Sequence, residues 1–456
     1  MKTNEKKQLL TEGPIGKSMI AFAIPIFLGN LFQQFYNISD SFIVGNFLGS
    51  DALAAVSSSG SLIFLLIGFL SGIAIGAGVV IAQFYGAKEY KNVSKAIHTE
   101  IAFGLVAGIL LTIIGLILTP QILRWMGTPK SVLPNSILFF RVYFSGSLFV
   151  VLFNMFMGIL QAVGDSRHPL YYLMISSVMN VVLDLIFVGV FHKGVGFAAL
   201  GTVISQFFCM LLCLRRLIFT NEVYKVSLNQ IHFDLPMLRK IVGIGIPSGL
   251  QNSIISFANI IVQSNINKFN VMAVAGCGVY TKIEGFAFLP ITCFALSLTT
   301  YIGQNLGARE FKRVKAGAKF GMICSLIIAE LIGIVIFITM PVLVAAFNHN
   351  PQVIAYGTQQ ARTECLFYFL LAFSHCTAGI MRGAGKSTVP MLVMMVCWCF
   401  IRITYITTVI HFIPKIEVVF WAYPLTWGLS TIVFGLYLSK SHWLIKYKEK
   451  CKVEVI

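Results

Sequence analysis

The chain has 456 residues, of which 57% are hydrophobic and only 11% charged, with a formal net charge of +17 and a mean hydropathy of +0.84. Soluble proteins carry roughly a quarter charged residues, so these side chains cannot furnish the water-exposed surface of a globule this long. Soluble, disordered, fibrous and nucleic-acid-binding classes are excluded, and a polytopic helical membrane protein remains.

A helix crosses about 30 Å of hydrocarbon with about 20 apolar residues. Twelve such stretches are predicted, at 17–44, 53–84, 96–119, 133–161, 168–191, 195–218, 239–267, 272–305, 316–340, 354–381, 388–412 and 418–440. The first has no small-residue cleavage site behind it, so no signal peptide is expected. It carries Asn30, Gln33, Asn37 and Asp40 at a spacing that lays four polar side chains on one helix face, with Gln34 beside them and Pro25 nearer the start. Proline removes a helical hydrogen bond, so Pro25 is a candidate hinge on the helix that carries Asp40, or else a static bend.

Span 2 brings Gly68, Gly72 and Gly76, a pattern for close helix packing. Span 5 repeats the polar stripe with Ser177, Asn180 and Asp184, and span 6 adds Thr202 and Ser205. The longest connection, roughly 215–240, leaves no room for a soluble catalytic domain. Span 8 holds Glu284, span 9 Glu330, and Glu364 falls in span 10. An acidic side chain at the bilayer centre costs several kcal/mol unless it faces a cavity or a partner.

Two carboxyls in one low-dielectric pocket repel each other, and burial penalises their charged forms, so such a pair is suited to binding and releasing a proton. The same oxygens, with an Asn carbonyl and a Thr hydroxyl, suit a hard cation such as sodium. Asn and Ser within spans also glue helices together, which alone would account for Asn30, Ser177 and Ser205. A structural pairing of Asp40 and Asp184 with Arg141 or another buried cation is the bland alternative for the aspartates. Arg141 and Arg362 read as braces of their own halves.

The Lys and Arg residues set the expected orientation. With twelve spans both termini share a side, and 25 basic residues fall on that side against five on the other, which places both termini in the cytoplasm. The ten cysteines all follow residue 208 and Cys397 and Cys399 are too close for a zinc pair, so neither a disulfide nor a metal framework is expected.

The chain also repeats itself. Gln83-Phe-Tyr-Gly-Ala-Lys-Glu89 is echoed 221 residues on by Gln304-Asn-Leu-Gly-Ala-Arg-Glu310, and Gly158-Ile-Leu-Gln-Ala-Val-Gly-Asp-Ser-Arg-His-Pro169 by Gly379-Ile-Met-Arg-Gly-Ala-Gly-Lys-Ser-Thr-Val-Pro390. Pro120 matches Pro341, Arg141 matches Arg362, and Pro25 matches Pro247 at 222. A six-span unit is therefore duplicated. Six is even, so both copies enter the membrane in the same sense. The expected architecture is an all-α membrane protein of two six-helix bundles related by a pseudo-twofold axis along the membrane normal. Their expected bounds are 1–220 and 239–456, with a cytoplasmic linker at 221–238. Gly383-Ala-Gly-Lys-Ser-Thr388 has the ending of a phosphate-binding loop, but Ile380 stands where its first glycine is required, and it reads as a turn.

In this register the residues resemble the multidrug and toxic compound extrusion (MATE) family over essentially the whole chain. The resemblance rests on the two six-span repeats, Ala23-Ile-Pro25, the Gly-Ala-Lys/Arg-Glu turns after spans 2 and 8, and the Gly-rich turns after spans 4 and 10. The nearest pattern is the DinF-like branch. The resemblance implies a cation-coupling site of Asp40, Asn180, Asp184 and Thr202, which would also be the metal ligands if the ion is sodium, and Pro25 as the bending proline. The other bacterial branch has acidic residues on spans 7 and 10. Span 7 and the stretch Leu371-Ala-Phe-Ser-His375 have none here, which leaves Glu284 without an inherited role.

The expected activity is secondary antiport, exporting organic cations or other amphipathic compounds in exchange for protons or sodium ions, without enzymatic chemistry. No cofactor is expected besides that ion. The substrate cavity is expected to draw on Asn30, Gln33, Gln34, Asn37 and Glu284. Expected partners are small amphipathic or cationic substrates and the lipid bilayer, with no nucleic acid, and the protein is read as a monomer. Rival readings are a flippase for lipid-linked oligosaccharides of the same superfamily, which calls for a basic cavity, an intramembrane enzyme built on an Asp pair, and a channel.

Overall fold

The computed structural model describes residues 10–125 and 128–441, with the side chains at 50, 51, 53, 54 and 57–65 outside the description. The basic residues expected before position 10 and after position 441 lie beyond it. All regular structure among the described residues is helical, as a bilayer demands of a chain that must satisfy its own backbone groups.

In the first half α1 (Ile15–Leu48), α2 (Ser50–Gly86) and α3 (Tyr90–Trp125) are single long helices. Helices α4 (Leu133–Ser145) and α5 (Ser147–Ala162) meet at Gly146 with a bend of 49° and form one broken span. Helix α6 (Arg167–Asp184) continues through a π-helical turn, Leu185–Val190, before α7 (Val195–Ile218). In the second half come α8 (Leu235–Ile266), α9 (Val271–Gly307) and α10 (Phe311–Phe347). Helix α11 (Pro351–Glu364) passes through a 3₁₀ turn into α12 (Tyr368–Gly383), and α13 (Thr388–Met394) through a π-helical turn into α14 (Arg402–Phe412), followed by α15 (Glu417–Lys440). Eleven spans are long and apolar enough to cross a membrane, and the bent pair makes the twelfth. The predicted twelve are therefore present.

The duplication reappears in backbone geometry. Lys88 and Arg309, repeat mates, both adopt the left-handed conformation, at φ 59° and 58°. Each turn is closed by the same bond: Glu89 N–H donates to Phe84 O at 3.0 Å, and Glu310 N–H to Asn305 O at 2.9 Å. Gly164 and Gly385 are likewise left-handed, with Asp165 N–H on Leu160 O and Lys386 N–H on Met381 O, both at 2.8 Å. These are helix C-caps in which a left-handed residue satisfies carbonyls that the helix leaves open. Two equal turns in two halves show one fold used twice.

Contacts divide the described chain into two units: Ala21–Gly249, and Leu10–Ile20 with Leu250 onward. The divisions fall inside α1 and α8 and not at the linker. In the first unit the cause is visible. A Cβ on Gly72 would collide with the backbone of Gly249, and one on Gly76 with that of Gly245, so α2 and the first half of α8 touch backbone to backbone. The core there joins Ile73, Val80, Ile97, Phe153, Phe156 and Ile159, with α3 packed on α5 and α6 on α7. In the second unit α9 packs on α10 and α12 around Met340, Tyr368, Trp427 and Phe434. Exposed apolar rows run along α3 (Ile109, Ile113, Ile117) and α10 (Leu331, Val335, Ile338), as a lipid-facing surface requires.

Candidate functional site

In the first unit α1 and α6 bring two acids together. Asp184 ends α6 fully buried, and its carboxyl lies within hydrogen-bonding reach of the Asp40 carboxyl from α1. Neither has a Lys or Arg within 4.0 Å among the described residues, and Arg141 is exposed. The bracing of the aspartates by Arg141 is thus absent. Asp40 Oδ1 and Asp184 Oδ1 are each buried with no hydrogen-bond donor.

Asn180, one turn before Asp184, links the acids to α7. With its nitrogen toward Asp184 Oδ2 at 3.2 Å, its oxygen accepts from the Thr202 amide at 3.2 Å and from Thr202 Oγ1 at 3.3 Å. Asn180 and Thr202 are both buried. Next to Thr202 is Gly201, where a Cβ would stand 2.6 Å from Asp184 Oδ1. Only a residue without a side chain leaves room for that carboxyl. The π-helical turn begins immediately after Asp184, and such turns widen a helix locally, often at functional sites.

Tyr36 and Gln206 complete the surroundings and were not singled out in the sequence. The Tyr36 hydroxyl faces the Gln33 and Gln206 side chains and lies close to both aspartates. Gln206 is buried and one turn beyond Thr202; extending the α7 stripe from Thr202 by four residues would have found it. Ser205, by contrast, bonds to its own helix at Gly201 O (2.9 Å), and its carbonyl accepts from Ser176 Oγ (3.0 Å). It is helix glue.

Along α1, Gln33 and Gln34 are half-buried, Asn37 is exposed, and Asn30 is half-buried with a partner. Pro25 is buried within the same helix.

Glu284 belongs to the second unit and has its own surroundings. The Tyr280 hydroxyl lies 3.2 Å from Glu284 Oε1, 3.1 Å from Glu364 Oε2 and 3.0 Å from the Tyr368 hydroxyl. Gln360 donates to Glu364 Oε1 at 2.9 Å. The buried Arg402 guanidinium is held by Thr426 Oγ1 (2.8 Å) and lies 4.3 Å from the centre of the Tyr423 ring. Two acids are thus joined through one tyrosine across α9, α11 and α12. The link between Glu284 and Glu364 spans 80 residues of sequence, and no local spacing announces it.

Twelve spans in two repeated halves, with a polar acid pair buried in one unit, define a polytopic membrane protein of duplicated helical architecture. A family model described as MatE matches residues 25–186 and 247–407, the two halves themselves, and the chain belongs to that family. Among curated relatives it is 28% identical over 433 residues to the probable multidrug resistance protein YoeA of Bacillus subtilis, covering 93% of each chain. It is 24% identical to the probable multidrug resistance protein NorM of Thermotoga maritima, covering 84% of this chain and 83% of that one. It is also 24% identical to the multidrug export protein MepA of Staphylococcus aureus, over 85% and 84%. The fold is that of solved MATE structures. One described as the outward-facing conformation of a multidrug resistance MATE family transporter of the MOP superfamily superposes with a TM-score of 0.90 at 22% identity, covering 98% of this chain and all of that one. A MOP superfamily transporter from Pyrococcus furiosus gives the same score at 23% identity.

Proposed function

We propose that the protein is a secondary active antiporter that exports organic cations or other amphipathic compounds in exchange for protons. The names of its relatives support the substrate class. The contact between Asp40 and Asp184 carries the coupling. Two carboxyls hydrogen-bonded to each other hold a proton between them. Removing it leaves two like charges in a poorly solvated site, which favours moving α1 away from the end of α6. Protonation then selects one shape and deprotonation another, with Pro25 as the point of bending. Asn180 and Thr202 keep Asp184 in place. The substrate-binding residues are Asn30, Gln33, Gln34, Asn37 and Glu284, in rocker-type alternating access with both termini cytoplasmic. Sodium is the second reading, because Asp40, Asp184, the Asn180 carbonyl and Thr202 Oγ1 also make an oxygen set for a hard cation.

Uptake of a fluorescent organic cation into inverted membrane vesicles tests this, under an imposed proton or sodium gradient, with the parent and Asp40→Asn. Uptake driven by an acidic lumen and lost in the variant is expected. Uptake driven by sodium alone would select the second reading. Absence of uptake under either gradient would move weight to a lipid-linked oligosaccharide flippase.

A further inference from the structure

The segment before α1 is held in a built receptor within the second unit. Leu10 is buried, and its N–H donates to Gln304 Oε1 at 3.2 Å. Its carbonyl accepts from Asn305 Nδ2 at 3.3 Å and from Arg313 Nη2 at 3.2 Å. The same guanidinium donates to Glu12 O at 3.2 Å and Gly13 O at 2.8 Å, and through Nε to Asn305 Oδ1 at 3.2 Å. Asn305 also donates to Tyr301 O at 2.8 Å, and the Tyr301 hydroxyl donates to the Arg313 carbonyl at 3.4 Å. Three carbonyls of a non-helical segment are gathered by one arginine 300 residues away. One turn into α1, Met19 is fully buried, and its Sδ would lie 2.8 Å from a Cβ on Gly321.

Crossing a bilayer does not require this. A basic residue at the end of a span ordinarily extends toward headgroups and water. The plan recurs in the first unit, where the segment before α8 is held on α3. Ser227 N–H donates to His98 Nε2 (3.1 Å), Asp234 N–H to Thr99 Oγ1 (3.3 Å), and Lys95 pairs with Asp234 (3.2 Å). The Met237 amide and Lys95 hold the half-buried Asp234 carboxyl below the usual carboxylate range. Both helices that pass from one unit into the other are therefore tied down just before they begin.

We propose that Arg313 is a positioning residue for export. It fixes the start of α1, so that a change at Asp40 is absorbed at Pro25, between the clasp and the acid, and not lost by sliding of the helix end. The proposal rests on the antiporter reading, and the test keeps the two apart. A spin label at Lys17→Cys, with the unsubstituted parent labelled in parallel as background, reports the start of α1 without any transport. Vesicle uptake of the fluorescent cation reports export. In Arg313→Ala the label should become mobile, and the maximal uptake rate should fall while the half-saturating cation concentration stays at the parent value. Arg313→Lys should rescue only partly, because a point charge cannot span three carbonyls as a planar fork does. A Leu10→Cys/Gln304→Cys disulfide in otherwise parent protein should leave uptake intact, since the clasp stays closed.

Parent-level uptake in Arg313→Ala despite a mobilised label would overturn the proposal. So would a disulfide that blocks uptake until it is reduced, which would make the clasp a gate. If the parent itself moves no cation, the antiporter reading fails, and the label decides for the clasp alone. Mobilisation by Arg313→Ala then upholds the anchor, and an unchanged spectrum sinks it.

Discussion

Asp184 owes its position to its neighbours on α6 and α7 more than to any charge. Asn180 bridges it to Thr202, and Gly201 leaves the space its Oδ1 occupies. Gly201→Ala would place a methyl 2.6 Å from that oxygen, and overpacking of this kind costs about 1–3 kcal/mol. We expect Gly201→Ala to insert and fold but to lose most gradient-driven uptake, with a modest fall in thermal stability. Ser205→Ala, one turn on, is the control, and equal losses in both would remove the special role of Gly201. The residues of this pair were legible in the sequence because polar groups inside spans are costly and their spacing shares helix faces. Tyr36 and Gln206 were not. A tyrosine within a mostly apolar run raises no alarm, and Gln206 becomes notable only once α7 is seen beside α1. Glu284 stands without a local partner in the span 8 pattern, whereas Tyr280 joins it to Glu364, a contact only the tertiary fold creates.

At the scale of elements, hydropathy and repeat spacing identified the twelve spans and the doubled unit, since every span must present an apolar surface long enough for the bilayer. The bend at Gly146 and the π-helical turns beside Asp184 and Arg402 did not emerge, because one extra residue in a helical turn leaves the apolar run unchanged. The glycines of α2 read as a packing surface, and the structure supplies partners for two of them, Gly249 for Gly72 and Gly245 for Gly76, both on α8. Because these backbones touch, Gly249→Val cannot be absorbed by side-chain movement. It should lower the thermal unfolding temperature of the purified protein clearly. Gly243→Val, in open space on the same helix, should change it little. Equal effects would mean the α2–α8 contact is not tight.

At the scale of the whole molecule, the chain passes from one contact unit to the other within α1 and again within α8. Each of these helices carries an internal proline, Pro25 and Pro247, and these are repeat mates. The repeat sets the boundary of the two six-span halves at the basic linker, 221–238. The contact division lies elsewhere because the ends of α1 and α8 pack beyond their own six-span halves. Asp40, one member of the acid pair, lies on α1 beyond Pro25, within the first unit, and Asp184 of α6 lies in the same unit.

The most direct measurement is proton release by the purified protein in weakly buffered detergent solution when an organic cation is added, for the parent, Asp40→Asn and Asp184→Asn. Binding of the same cation is followed in parallel. Exchange of proton for substrate at the pair predicts release from the parent and none from either variant. Release that persists in both variants, or a parent that binds the cation and releases no proton, would contradict it.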